Sequence, residues 1–324
     1  MACVGFDVGS RFSVCARVHS RGLTTCLNEA SKRKSGTMVS IKGKQRFLGA
    51  NAEPMARQNY KNTVCYCTRL LGRKYSSPEV QEELALMPYR EIFEEAKDGS
   101  VNAILNYDGE QKRFSMTQCL AMMLGELNRL AIADAPEGVN KCDVVLTVPC
   151  WYDDRQRRMV KAACGIAQVQ DLGLINDSTA VALGYGIWKN KKGQFSSTKK
   201  EGMADDQYIG ECNVMFIDFG DAQTTCSVVK FSQDKMQTVS TYRMEELQCE
   251  LETTVRVEYV YFLVIFFFNC SPISSSPSSF PFYLLKKTRF IYLLTFCSFL
   301  YFENLLSSII TTHYSSFFIF YFLS

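Results

Sequence analysis

The first apolar runs of the chain, residues 3–8, 12–19 and 23–28, are short and broken by polar corners. This spacing predicts three successive strands, with Gly9-Ser10-Arg11 as the first turn. Strand-like pieces follow at 37–41 and 45–49, and helical patterns at 52–71 and 78–87. The second of these helices is entered by Ser77-Pro78, with proline at the first helical position. A hairpin-like pair near 101–116 leads into "SMTQCLAMMLGELNRLAIAD". There Ser115 and Gln118 make a capping box, and Leu120, Met123, Leu124, Leu127 and Leu130 recur at helical spacing, as the core face of a long helix would.

Beyond this helix the pattern changes to strand, corner, helix. In "CDVVLTVPCWYDDRQRRMVKAACGIAQV" an apolar strand ends at Pro149, a turn carries Asp153 and Asp154, and an amphipathic helix follows. "DLGLINDSTAVALGYGIW" repeats the scheme around the polar corner Asn176-Asp177-Ser178-Thr179. Strands alternating with helices predict an α/β layered fold. The Lys-, Gly- and Ser-rich residues 189–212 are expected to be a solvated linker. After it "VMFIDFGDAQTTCSV" restates the opening "CVGFDVGSRFSV": an apolar run ending in Asp, one apolar residue, Gly, a polar stretch, then Ser-Val. A strand at 235–241 and a helix-like "RMEELQCELE" close the ordered pattern.

Composition changes this picture in two places. The 324 residues suggest two domains or one two-lobed body, and a net charge of +3 gives no footprint for a nucleic-acid partner. The 14 cysteines include no CxxC pair, and His19 and His313 stand at no metal-ligand spacing. With no basic, apolar leader after Met1, a reducing cytoplasmic setting is expected, with Cys65 and Cys67 as packing residues. The second change is abrupt. From Val255 to Ser324 there is no Gly, Ala, Asp, Met, Gln or Trp, and 14 of the chain's 23 Phe fall here. The expectation is translated non-coding sequence. The alternative is a membrane anchor, since residues 304–324 carry no charge and are long enough to span a bilayer.

A strand that ends in Asp and turns on Gly sets a carboxylate beside exposed backbone amides. The amides can cradle phosphate oxygens while the carboxylate holds waters of a magnesium ion. One such turn is also an ordinary hairpin corner. Two of them, on separate α/β lobes, could grip one triphosphate from opposite sides, and the "INDST" corner adds a third carboxylate at a strand end.

Taken in order, "GFDVGSRFSV", "RLLGRKYSSPEV", "VVLTVPCWYDDRQRRMVKAA", "LGLINDSTAVALGYGI" and "MFIDFGDAQTTCSVV" resemble the nucleotide-binding domain of the heat-shock protein 70 family. The resemblance implies an actin-like, ribonuclease-H-like ATPase fold over most of residues 1–250. Residues 1–188 would be the first lobe, with a peripheral subdomain at about 38–115, and residues 213–254 the start of a truncated second lobe. The glycine-poor Gly220-Asp221-Ala222-Gln223 and the "DSTAVALGYGIWK" corner are similar to the large, heat-shock protein 110 branch. That likeness implies ATP/ADP and magnesium as cofactors, and seventy-kilodalton chaperones and unfolded polypeptides as partners of the intact protein.

Carried over by position, Asp7 and Asp218 would act around the magnesium ion, with Asp177 where the family usually has Glu. Gly9, Ser10 and Arg11 would face the β- and γ-phosphates, and Gly220 would hold the second loop close. Pro149 and Arg157 match the family's proline switch and its relay arginine. Two departures bear on activity. Thr68 stands where the family has its catalytic lysine and cannot supply that charge. Asp221 puts a carboxylate where glycine amides would meet phosphate. The implied function is an ATP-binding chaperone acting as a nucleotide-exchange factor. An ATP-hydrolysing chaperone, a sugar-kinase-like phosphotransferase and a membrane-anchored protein with an actin-like head are the alternatives.

Overall fold

The computed structural model describes residues 2–19, 22–87, 89–191, 195, 210–232, 235–244 and 317–318. The chain begins with β1 (Ala2–Val8), β2 (Phe12–His19), β3 (Gly22–Thr25), β4 (Ser35–Gly36), β5 (Met38–Lys42) and β6 (Gln45–Leu48). It continues through α1 (Met55–Gln58), β7 (Thr63–Cys65), α2 (Cys67–Leu70), α3 (Pro78–Leu86), β8 (Phe93–Glu95), β9 (Val101–Tyr107) and β10 (Glu110–Ser115). The remaining elements are α4 (Met116–Ala133), β11 (Cys142–Val148), α5 (Asp154–Ile166), β12 (Gln170–Asn176), α6 (Asp177–Lys191), β13 (Cys212–Phe219), β14 (Thr224–Ser232), β15 (Lys235–Met244) and β16 (Phe317–Phe318).

The principal sheet has the order β12-β11-β1-β2-β3, with β11 parallel to both β1 and β12 and the β1–β2–β3 meander antiparallel. Alternation on β1 and β11 sends Val4, Phe6, Val144 and Leu146 into one buried layer, where α4 supplies Met123, Leu124 and Leu127. The α4 start is the expected capping box: Gln118 N donates to Ser115 Oγ, and Ser115 N donates to Gln118 Oε1. Two small three-stranded sheets, β6-β5-β7 and β10-β9-β8, make the peripheral part.

The helix expected over 52–71 does not form. That stretch breaks into α1, β7 and α2, with 3-10 turns at Gly49–Asn51 and Tyr60–Asn62. Its polar side chains find partners on β5 instead: Asn59 and Asn62 donate to Ile41 O, and Thr63 donates to Ser40 Oγ. Tyr66 at φ 57 then interrupts any helical run. Tertiary bonding here outweighs a weak helical propensity.

A second core forms around the sheet β15-β14-β13-β16. Its buried residues include Phe216, Val229 and Phe231, together with Ala182 and Tyr185 of α6 and Phe195. The expected lobe boundary at residue 188 falls within α6, which packs against β11 and β12 of the principal sheet as well as against β13 and β14. One expectation is corrected by this packing. Phe195, read as part of a solvated linker, is only 2% exposed and stacks on Phe231 with ring centroids 5.1 Å apart. An aromatic ring among lysines was the missed signal.

β15 runs through Met244, so the helix-like "RMEELQCELE" opens as strand and its remainder lies outside the described residues. The expectations for residues 255–324 also lie outside them, apart from β16, which pairs in parallel with β13 at Val214 and Met215. Among the described residues no helix is long and apolar enough to cross a membrane.

Candidate functional site: two acidic hairpins facing one cleft

The repeated sequence is a repeated structure, residue for residue. On the first hairpin Asp7 pairs with Val14, and Gly9 N donates to Phe12 O at 3.0 Å. On the second, Asp218 pairs with Thr225, and Gly220 N donates to Gln223 O at 2.8 Å. In each, an Asp stands opposite the residue seven positions on, and a Gly two residues later closes the turn. Both glycines are required by close approach rather than by a left-handed backbone. A Cβ on Gly9 would sit 2.7 Å from Phe12 O, and one on Gly220 would sit 3.0 Å from Gln223 O.

The fold brings the three predicted carboxylates together. Asp7 projects from the end of β1 and accepts from Thr147 Oγ1 at 2.6 Å. Asp177 opens α6 and accepts from Cys150 N at 3.2 Å and from Ser178 N at 2.6 Å. Asp218 has no such partner: its Oδ1 is buried and makes no hydrogen bond. It lies with Asp177, Ser178 and Thr225 in the wall of a narrow cleft.

Electrostatics record the crowding. Burial pushes the Asp218 carboxyl up to about 7, and the Asp177 and Asp7 charges add to that. Asp177 is raised by burial, against hydrogen bonds from Ser178 and Cys150 that favour its ionised form, and Asp7 by burial against the Thr147 bond. An orphaned buried oxygen among three mutually repelling carboxyls is a constellation that a divalent cation would relieve. Among the described residues no three His, Cys, Asp or Glu side chains come close enough to ligate one ion directly.

The two turns also touch. Arg11 Nη1 donates to Asp221 Oδ1 at 3.0 Å, joining the first loop to the second across the cleft mouth. Tyr66 adds its hydroxyl to the same group; burial, then the Asp221 carboxylate, raises that phenol. Behind them Arg69 donates to the Ala222 carbonyl and pairs with Glu83. Asp221 is thus a side-chain anion held among donors where a bound phosphate would compete for the same Arg11. Ser10 lies half-buried on the first turn, beside Arg11.

Thr68 lies at the second position of α2 and is 6% exposed. Its Oγ1 has no hydrogen-bond partner, while its carbonyl accepts from Tyr152 Oη. It lines a small cavity with Val8, Thr147 and Pro149, so the position faces the foot of the Asp7 strand. Pro149 and Arg157 are joined by one short network. Tyr152 N donates to Pro149 O at 3.0 Å, Arg157 Nε to Tyr152 O at 2.9 Å, and Arg157 Nη2 to Asn176 Oδ1 at 2.8 Å. Asn176 precedes Asp177, whose carboxylate holds the amide after Pro149. Asp177 thus lies one residue removed from both ends of this network.

Three contributors were not singled out in the sequence. Thr147 interrupts the apolar run Val144–Val148 of β11, Tyr152 lies three residues past Pro149, and Arg69 follows Thr68. The polar residue inside "VVLTV" was the one local signal available.

The comparisons decide the family. The model for "Hsp70 protein" matches residues 3–249. The chain belongs to the heat-shock protein 70 family. Its similar relatives include heat shock 70 kDa protein 16 of Arabidopsis thaliana, 37% identical over 237 residues, covering 73% of this chain and 29% of that protein. Heat shock protein hsp88 of Neurospora crassa is 33% identical over 242 residues, covering 74% and 32%. The 97 kDa heat shock protein of Strongylocentrotus purpuratus is 35% identical over 240 residues, covering 74% and 25%. The chain thus spans about a third or less of the length of these curated relatives. The mixed α/β lobes around the cleft are those of the family's actin-like ATPase fold.

Proposed function

We propose that this chain is the ATP-binding part of a large, heat-shock protein 110-type chaperone that acts as a nucleotide-exchange partner of seventy-kilodalton chaperones. The observation that carries the nucleotide site is the in-register pair of Asp-Gly hairpins with Asp7, Asp177 and Asp218 converging between them. Asp7, Asp177 and Asp218 would hold magnesium through its waters, which fits the orphaned Asp218 oxygen. Magnesium, when bound, supplies positive charge that neutralises phosphate oxygens. The Gly9 and Gly220 turns leave backbone close to those oxygens, and Arg11 supplies a guanidinium to them once Asp221 is displaced.

Hydrolysis is not the activity favoured here. At position 68 a buried threonine with an idle hydroxyl offers neither charge nor an oriented proton to an attacking water. Binding without efficient turnover suits a protein whose ATP state is recognised by a partner. The Asp177–Cys150–Pro149 and Arg157–Asn176 contacts give a path by which occupancy of the cleft would be felt at the proline corner.

The test is stopped-flow release of a fluorescent ADP analogue from a seventy-kilodalton chaperone, using the longer protein that carries this segment. Acceleration by the ATP-loaded protein, lost in Asp7→Ala, is expected. ATP binding with an unchanged release rate would leave a stand-alone chaperone as the better account. Magnesium-dependent turnover abolished by Asp7→Asn would establish the hydrolase alternative.

A further inference from the structure

Away from the cleft, β2 and the residue following β3 bring two thiols into contact. Cys15 Sγ and Cys26 Sγ are 3.1 Å apart, inside the separation of two sulfurs in ordinary contact, and both side chains are buried. The β2–β3 register, Ala16↔Thr25, continues one step to set Cys15 opposite Cys26, and Cys26 N donates to Cys15 O at 2.8 Å. Hydrogen-bonded opposite pairs in an antiparallel ladder have Cα atoms about 5.5 Å apart. A disulfide needs about 4.4–6.8 Å. The backbone is therefore already at bridging distance.

The surroundings set the chemistry of the pair. Arg17 on β2 is 4% exposed and donates through Nη2 to Asp134 at 3.1 Å, while its Nε and Nη1 have no hydrogen-bond partner. A buried guanidinium with idle donors favours a thiolate beside it. Cys26 is the thiol that benefits. The hydrogen bond from Cys15 is the main cause that lowers it; burial and then the Asp134 carboxylate oppose, Arg17 adds a smaller lowering, and Cys15 is raised as the partner that keeps the proton. The Asp134 carboxylate works against thiolate formation at both sulfurs. The other buried thiols mark the difference: Cys67 and Cys119 are raised by burial, and Cys142 is raised although Arg17 opposes, so it is the sulfur contact with Cys15 that sets Cys26 apart. β3 pairs with β2 alone, so Cys26 follows an edge strand whose local opening admits a small oxidant.

We propose that Cys15 and Cys26 are a modification site, a thiol pair that a hydroperoxide converts to an intrachain disulfide across β2 and β3. In the first step the Cys26 sulfur attacks one peroxide oxygen, the O–O bond breaks, and the other oxygen leaves as water after taking a proton. This leaves Cys26 as a sulfenic acid. The Cys15 sulfur then attacks the Cys26 sulfur, the S–O bond breaks, and hydroxide leaves as water with the Cys15 proton. Two thiols and one hydrogen peroxide give one disulfide and two waters. Cys15 also stands opposite Phe6, one pair from Asp7↔Val14, so the cross-link would tie the edge of the sheet to β2, the strand that returns from the first loop.

The experiment treats the full chain with hydrogen peroxide, blocks remaining thiols by alkylation, and maps peptides by mass spectrometry without reduction. The expected product is a Cys15–Cys26 cross-linked peptide two hydrogens lighter than its parts, lost on treatment with dithiothreitol. Cys142 on β11 should remain alkylated. Arg17→Met should slow cross-linking severalfold and Arg17→Lys much less; equal rates in the three proteins would overturn the role given to Arg17. Recovery of Cys15 and Cys26 as alkylated thiols while the exposed Cys3 is oxidised would overturn the proposal, as would a bridge from either of them to Cys142.

Discussion

Arg11 and Asp221, 210 positions apart in the chain, form a 3.0 Å ion pair between the turns of two hairpins built to one register. The Arg11 side chain is 55% exposed, so the pair contributes little to folding, about 0.2–1 kcal/mol. Its larger effect falls on the cleft, where the Asp221 carboxylate competes for Arg11 with any incoming anion. Asp221→Gly should therefore tighten binding of ATP analogues, by severalfold at low salt and less at high salt. Titration calorimetry of the two proteins at two salt concentrations checks this. An unchanged or weaker affinity would show that Asp221 is no competitor.

The raised carboxyls make stability depend on pH in a particular direction. The unfolded chain has Asp groups near 3.8, whereas Asp218 in the fold stands at about 7. Between about pH 4 and pH 7 the folded protein holds more protons at this site than the unfolded one. Stability from this group is thus present at low pH and lost as pH rises through about 7, at a cost on the order of 4 kcal/mol. Asp218→Asn should raise Tm at pH 7.5 in metal-free buffer and flatten the slope between pH 5 and pH 7.5. Magnesium should stabilise the parent chain at pH 7.5 and leave the variant nearly unchanged. Thermal melts with and without the ion give the answer. A variant less stable at both pH values would refute the buried-charge account.

Much of this site could be read from the sequence, because its parts are local. A strand, an Asp, a Gly and a returning strand occupy about a dozen consecutive residues, and their register follows from the turn. The same holds for the Ser115–Gln118 cap and the Leu and Met face of α4. Contacts set by packing at a distance were not visible. The ring of Phe195 among lysines was a hint of burial, but its partner Phe231 lies 36 positions on and the polarity around Phe195 pointed to solvent. Residues 52–71 carry enough helix formers to look helical, yet Asn59, Asn62 and Thr63 bond to a strand about twenty residues away. The Asp7–Thr147 and Arg11–Asp221 pairs join segments that only the completed sheet brings together.

The two loop glycines are alike in sequence but not in clearance, and this gives an asymmetric expectation. A methyl on Gly9 would meet a backbone carbonyl at 2.7 Å, a distance that real Cβ atoms do not tolerate, so the turn itself must open. On Gly220 the corresponding contact is 3.0 Å, which a shift of a few tenths of an ångström relieves. Gly9→Ala should cost about 1–3 kcal/mol and Gly220→Ala about 1 kcal/mol or less, since strained-backbone and overpacking costs fall in that range. Urea unfolding of both variants measures the difference. Equal costs would mean that the first turn is softer than its geometry indicates.

Position 68 separates stability from catalysis. The Thr68 hydroxyl is buried and unpaired, so it bears a desolvation cost without a hydrogen bond in return. Thr68→Val keeps the shape and removes that group, and should be neutral or stabilising by about 1 kcal/mol. Thr68→Lys asks the same pocket, lined by Val8, Leu120, Leu146 and Tyr152, to accept an ammonium. No acidic side chain lines that pocket, and the Asp7 carboxylate on the neighbouring strand is already bonded to Thr147. The lysine variant should therefore be destabilised by more than about 1 kcal/mol, with magnesium reducing any benefit from Asp7 by competing for it. If Thr68→Lys instead gains stability at pH 7.5 together with measurable ATP turnover, the pocket still accommodates the family's lysine. The loss of hydrolysis would then rest on that one side chain.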